Sequence, residues 1–475
     1  MGSNLTQPEL NEKKHPFLIF KDPRLKKQMA KLFVPFLLQE LVVVLTTLMS
    51  NLVLKWWGTD LKLTTGLSNA FQVFFLYNII AASFCYIGNL FMSQHYGRGA
   101  IDDVQKDYYV LMKVAIVHGL IFFILVLTIP EYLLFFVKDA DVKNYAVEYL
   151  KWFSPVFLLI APSMINYTMM KNLRLEKFCT LSSIITFSII LLFESTFIFT
   201  LGTKHPTWAL EIAALSMALG RLGEFIFLFI VINKKGIVKF RFKDFFKANP
   251  KRFKAIAYYG APVVLAKISW GCGFVAVTII TNRIGVGPLL DAHGLMSTYQ
   301  NLVMCLSNSI SGVTAVLIGR ELGANRLRKA EDHGSDVSRL LFVMGLIEIG
   351  AFMLFLPIAI LTTPSLTPEA KDYLWKVFLI QTIALIPRSY NTTFMNGLFN
   401  VGGDTLFIML LDGLTAWLTI FPLGMIGTHF AWDPLLIYAL IQLEEVFKFP
   451  FNIWRYKQKK WVFNITQKKG IVFNE

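Results

Sequence analysis

Carboxylates stand inside otherwise apolar stretches of this chain: Glu40, Glu194, Glu211, Glu224, Glu348, Asp412, Glu444 and Glu445. At the centre of a bilayer a charged side chain costs at least roughly 2.5–3.5 kcal/mol on insertion scales, so such residues pair, carry protons or ions, or hold a charged solute. Arg221 precedes Glu224 by three residues, a helical spacing that favours a structural ion pair. Glu445 sits in LEEV, a context like the LGEF around Glu224. Glu40 has Gln39 beside it, which suits a polar cavity, and Asp412 and Glu348 are further candidates for attracting a cationic solute. The chain has no P-loop and no grouping of Ser, His and Asp, which argues against an ATP-driven pump and against an enzyme. Cys85, Cys179, Cys272 and Cys305 are scattered without metal-ligand spacing and read as packing residues.

The elements that must position these groups are membrane spans. Of 475 residues 55% are hydrophobic and 16% charged, with a mean hydropathy of +0.55, too apolar for a soluble surface. A span needs about 20 largely apolar residues. About twelve windows qualify, near 31–56, 67–92, 108–129, 147–170, 178–200 and 208–232, then 256–282, 288–318, 338–361, 374–396, 405–427 and 433–455. The expected fold is an all-α polytopic membrane protein.

The net charge of +15 falls mainly in alternate loops, so it reports topology rather than nucleic-acid binding. Lys13 to Lys31, Arg98 and Lys106, Lys171 to Lys177, Lys234 to Lys254, Arg320 to Arg339 and Arg455 to Lys460 mark one side. Both termini are therefore expected in the cytoplasm, with no cleaved leader, in a cell (inner or plasma) membrane. The stretch NKKGIVKFRFKDFFKANPKRFK from Asn233 to Lys254 reads either as an amphipathic helix on anionic lipid or as a solvated basic connector.

The chain also repeats itself. Gly323 follows Gly97 by 226 residues, Met395 follows Met169 by 226, and Pro262 and Gly285 follow Pro35 and Gly58 by 227. Two six-span lobes, 27–233 and 256–456, are expected on either side of a linker at 234–255, with terminal segments 1–26 and 457–475. The second and eighth windows are unusually polar, the former with Gln72 and Asn78 and the latter with Gln300 and Asn301. These helices are expected to border a central cleft. Pro35, Pro155, Pro162, Pro262, Pro387 and Pro422 lie in or beside spans and can bend them.

On these residues the chain resembles the multidrug and toxic compound extrusion (MATE) family of the MOP flippase superfamily. The likeness is carried by GRELGANRLRKAE from Gly319, by its echo SQHYGRGAIDDVQK from Ser93, by NGLFNVGGDTLF from Asn396 and by IFPLG from Ile420. The resemblance implies two parallel six-helix lobes around a central cleft, alternating access, no cofactor, and coupling to H+ or Na+. It further implies a carboxylate site in the first lobe. Glu194 in LLFESTFIF stands where relatives carry an acid, whereas the partner acid falls on Ser50 or Asn51. The expected coupling group is Glu194 with Ser50, Asn51 and Glu211, since burial favours a carboxyl that gains and loses a proton. Sodium at Glu194 suits the same oxygen donors.

The expected function is a cation-coupled antiporter, acting as a monomer, for amphipathic organic cations or drugs. Two other readings stay open. A flippase for a lipid-linked precursor would want interior Arg and Lys, of which Lys113, Lys267 and Arg388 approach the spans. A non-transporting receptor or scaffold would lack opposed polar helices and ion dependence.

Overall fold

The computed structural model describes residues 19–467 except 57–60, 138, 199, 201–207, 236–239, 248 and 364–365; side chains are also left undescribed at 43, 47, 49–56, 61–64 and several positions in 274–284. The first lobe consists of α1 (Pro23–Trp56), α2 (Leu61–Gly97), α3 (Ile101–Thr128), α4 (Ala140–Asn172), α5 (Glu176–Phe197) and α6 (Trp208–Lys235). The second consists of α7 (Pro250–Ile284), α8 (Gly287–Gly323), α9 (Leu327–Thr362), α10 (Pro368–Thr393), α11 (Thr405–His429) and α12 (Pro434–Lys457). Between the lobes lies a short helix, Phe242–Phe246. Among the described residues, nine helices are long and apolar enough to cross a membrane; the other long ones are α7, α10 and α12. Of these, α10 holds Arg388, while α12 holds Glu444, Glu445 and Lys448.

Local signals set several helix starts. The Asp139 carboxylate accepts from the Asp141 and Val142 amides at the head of α4, and Asp433 does the same for Leu435 and Leu436 ahead of α12, where Pro434 takes the first helical position. One side of α3 leaves Val117, Leu120, Ile121 and Ile124 exposed, at helical spacing, as a hydrocarbon-facing surface requires. In α9, Leu346 and Ile347 occupy the positions 226 residues after Leu120 and Ile121 and are exposed in the same way.

The lobes interlock through α1 and α7. Met29, Leu32 and Phe36 of α1 pack into the core of the second lobe with Val313 and Leu317 of α8. Ile256, Tyr259 and Val263 of α7, each 227 residues later, pack into the core of the first. This reciprocal insertion buries apolar surface that neither lobe covers alone.

The described residues of both terminal segments meet one end of the bundle, the basic end: residues 463–466 reach the ends of α2 and α8, and residues 19–22 reach α9. There Gly99 (φ +82) and Asn325 (φ 59) adopt left-handed backbone at positions 226 apart, one after α2 and one after α8. A methyl group on Gly97 would stand 2.1 Å from the Arg320 carbonyl oxygen, and one on Gly323 would stand 1.9 Å from that of Gln94. Helices α2 and α8 therefore touch backbone to backbone. Gln94 donates to the carbonyls of Val401 (2.6 Å) and Phe463 (3.2 Å) and accepts from the Ile465 amide (2.9 Å). Asn464 donates to the Gly323 carbonyl, so residues after α12 bridge the two lobes. Trp461 lies buried against Gly334 of α9 and Gly402. At the other terminus the Lys21 amide donates to Asp336 (3.0 Å), and Arg339 donates to the Ile19 carbonyl.

Candidate functional site

The first polar assembly forms where α1, α4 and α8 converge. Glu40 accepts a hydrogen bond from Asn308 of α8 at 3.3 Å. Beside it Lys171, near the end of α4, donates to the Gln39 amide oxygen. The Lys171 ammonium lies 3.5 Å from the Phe36 ring centre and 5.6 Å from that of Tyr167. Arg320 of α8 donates to the Lys171 and Asn172 carbonyls at 2.9 and 3.0 Å, satisfying groups that the end of α4 leaves open. Phe36 itself rests on Gly312, one helical turn from Asn308. The pair Phe36 and Glu40 on α1 thus meets the pair Gly312 and Asn308 on α8.

A second assembly fills the C-terminal lobe. Lys448 of α12, 2% exposed, is 2.9 Å from Asp412 of α11 and also contacts Glu444 one turn back on its own helix. Arg388 of α10 is 3.4 Å from Glu445, whose carboxylate also accepts from Asn391 at 2.9 Å. Asn452 donates to Asn391 at 2.8 Å. Lys267 of α7 stacks its ammonium 4.9 Å from the Tyr86 ring centre in the opposite lobe. Lys267 follows Glu40 by 227 residues, so equivalent positions of the two lobes carry opposite charges. Glu348 is fully buried, and its carboxyl meets the Ser307 hydroxyl, which in turn pairs with Ser389 at 2.8 Å.

In the N-terminal lobe Glu194 is 1% exposed, on α5. Glu211 lies beside Glu148 of α4. The Arg221–Glu224 ion pair forms at 2.8 Å, and Thr186 donates to the same carboxylate at 3.0 Å. The side chains of Ser50 and Asn51 lie outside the described residues. Gln72 and Asn301 are exposed, Asn78 is half-buried, and Gln300 is buried. The Gln300 side-chain nitrogen has no hydrogen-bond partner among the described residues. No group of three or more metal-ligating side chains occurs among them either.

Residues 35–195 match the MatE family model. The fold is shared with a MOP superfamily transporter from Pyrococcus furiosus, whose structure is described as having a binding pocket of reversed polarity that suggests a different function; the TM-score is 0.81 at 14% identity, over 92% of this chain and 97% of that one. A multidrug resistance MATE family transporter of the MOP superfamily, in an outward-facing conformation, matches with a TM-score of 0.81 at 15% identity and the same coverage. A mutant MATE transporter from Vibrio cholerae matches at 0.79 and 16%, again over 92% and 97%. A search of curated protein sequences finds no match. The chain therefore carries a MatE match over about a third of its length and has the fold of MATE and MOP superfamily transporters. It is a multi-pass membrane protein.

Two interior lysines of this chain escape a reading of the sequence. Lys171 belongs to LysAsnLeuArg, which looks like a basic turn, but α4 runs on to Asn172. Side chains on a helix lean toward its N-terminus, so Lys171 reaches back among the spans instead of out to water. Lys448 had a visible signal in its spacing of four residues from Glu444. Lys113, by contrast, reaches outward to the Lys247 carbonyl of the linker at 3.0 Å, in an exposed setting, and does not line the interior.

Proposed function

We propose that this chain is a cation-coupled antiporter that exports amphipathic organic cations by alternating access, acting as a monomer in the plasma membrane with the basic end in the cytoplasm. The observation that carries this reading is the α1–α8 junction. There an ionisable group, Glu40, is shared between the lobes through Asn308, and the adjoining contacts between α2 and α8 are close backbone approaches that can part as units. Export requires such contacts to break and reform.

Glu194 is the proposed proton-coupling carboxyl, with Glu211, Ser50 and Asn51 as its polar surroundings; sodium is the alternative ion. Glu40, Gln39, Gln72, Asn78, Gln300, Asn301, Asp412 and Glu348 are the proposed polar complement of the substrate path. The flippase reading is less favoured because the cation cluster of the C-terminal lobe is matched by acids, Lys448 by Asp412 and Glu444 and Arg388 by Glu445, while Lys171 and Lys267 stand apart against the Phe36 and Tyr86 rings. In that cluster no positive charge is left over for a pyrophosphate group.

The test is uptake of tetraphenylphosphonium into sealed proteoliposomes under imposed proton and sodium gradients, applied separately. A proton gradient is expected to drive transport, and Glu194→Gln to abolish the gradient dependence. Failure of both gradients to move the probe overturns the exporter reading. Full gradient dependence in Glu194→Gln removes Glu194 from it.

A further inference from the structure

We infer that Lys171 is a tethered competitor for the substrate: its ammonium occupies a cation cage built from Phe36, Tyr167, Gln39 and Glu40, and an organic cation takes its place when the lobes part at the basic end. This inference rests on the exporter reading above and assigns a specific site and release step to it.

The chemistry of the cage matches the ligand class. Aromatic faces within about 6 Å of a cation attract it through their quadrupoles, and ligand ammonium groups are recognised by rings arranged in this way. The Lys171 nitrogen lies 3.5 Å from the Phe36 centroid and 5.6 Å from that of Tyr167, and Gln39 supplies an acceptor. Glu40 stands one helical turn from Phe36 on α1, held by Asn308. Phe36, Tyr167 and Lys171 are all buried, at 6%, 2% and 5% exposure. A lysine placed only to fix topology would keep its head in water, where an ammonium is strongly hydrated.

The far wall of the cage belongs to the other lobe. Gly312 supports the Phe36 ring, Asn308 holds Glu40, and Arg320 holds the Lys171 and Asn172 carbonyls, all from α8. Separation of α1 from α8 removes that wall, frees the end of α4, and lets a cation from solution exchange for Lys171. When the lobes close again Lys171 returns and displaces the substrate, so Glu40 is neutralised in turn by solute and by side chain. The cage is particular to this lobe. The position 227 residues after Phe36 is Val263, and with Met169 matched to Met395 the position equivalent to Lys171 is Gly397.

The experiment uses the full chain and tetraphenylphosphonium, with Kd measured at equilibrium and turnover in proteoliposomes. Lys171→Met is expected to tighten binding about tenfold while slowing turnover, because the cage is vacated and the displacing group is gone. Lys171→Arg restores both values toward the wild type, and Glu40→Gln added to Lys171→Met cancels the gain. A folded Lys171→Met protein with unchanged or weaker binding overturns the inference. Should that variant not fold, a photoreactive quaternary ammonium applied to the wild type must label the peptides holding Phe36 and Tyr167, and labelling confined to other peptides overturns it. A wild type that moves the probe under an ion gradient but fails these tests sinks the cage alone; a wild type that moves no cation sinks the exporter reading.

Discussion

The Lys448 ammonium lies 2.9 Å from the Asp412 carboxylate, joining α12 to α11 in the interior of the C-terminal lobe. With only 2% of Lys448 exposed, neither charge has bulk water to fall back on. Asp412→Asn leaves the lysine partly uncompensated, with Glu444 still at hand, and is expected to destabilise by up to about 3–5 kcal/mol. Asp412→Asn combined with Lys448→Met is expected to recover much of that loss, because no buried charge is then left unmatched. Thermal unfolding in detergent measures both, and a double variant worse than the single one contradicts the pairing.

Gln94 makes three bonds to segments of the other lobe and the tail. Gln94→Ala leaves the Val401 and Phe463 carbonyls and the Ile465 amide short of a partner, at a cost of about 1–3 kcal/mol for a buried group left unpaired. The residues after α12 should lose protection. Hydrogen exchange at residues 461–467 is expected to rise markedly while α3 and α9 stay unchanged.

Gly97→Ala should act on the equilibrium between closed and open forms of the basic end, because its methyl would press on the Arg320 backbone, which has no flexible side chain to give way. Leu322 is fully buried in the closed arrangement. In a Leu322→Cys background, the rate of labelling by a water-soluble thiol reagent is expected to rise several-fold once Gly97→Ala is added. Equal rates would show that the helices accommodate the methyl without separating.

Acid should loosen the N-terminal strap. Burial of Asp22 works against its ionisation, but the Arg24 amide at 2.8 Å and the His333 ring at 3.3 Å outweigh it and hold the carboxyl below its ordinary 3.8. A depressed carboxyl contributes its full stabilisation above the unfolded value and loses it as the pH falls through the folded one. Exchange of the amides near residues 19–24 is therefore expected to increase below about pH 4, and Asp22→Asn to remove that pH dependence.

The repeat and the spans were legible because both rest on patterns longer than any one contact. A length of about 20 apolar residues is imposed by the bilayer, and the helix starts Leu61 and Gly287, like Ile101 and Leu327, are 226 residues apart. The Arg221–Glu224 pair was legible for a local reason, since three residues on a helix bring two side chains together. What the sequence did not disclose is which charges face one another across helices. Glu40 meets Asn308 over 268 residues of chain, and nothing near either one marks the other. Lys171 was hidden because a lysine at a span's end serves topology in most cases, and only the length of α4 turns it inward.

The mutual contact of Gly97 with Arg320 and Gly323 with Gln94 bears on how the two halves of this chain could have drifted apart. A duplicated gene is free to change one copy wherever the other does not touch it, and the buried acids have done so: Glu40 in one half answers to Lys267 in the other. At the glycine turns each copy is the mould for its twin. A bulkier residue in either would collide with the backbone of the half that did not change, so a single step in one half finds no neighbouring side chain able to compensate. The echo between Ser93–Lys106 and Gly319–His333 survives in the sequence at the place where each half is the other's steric template.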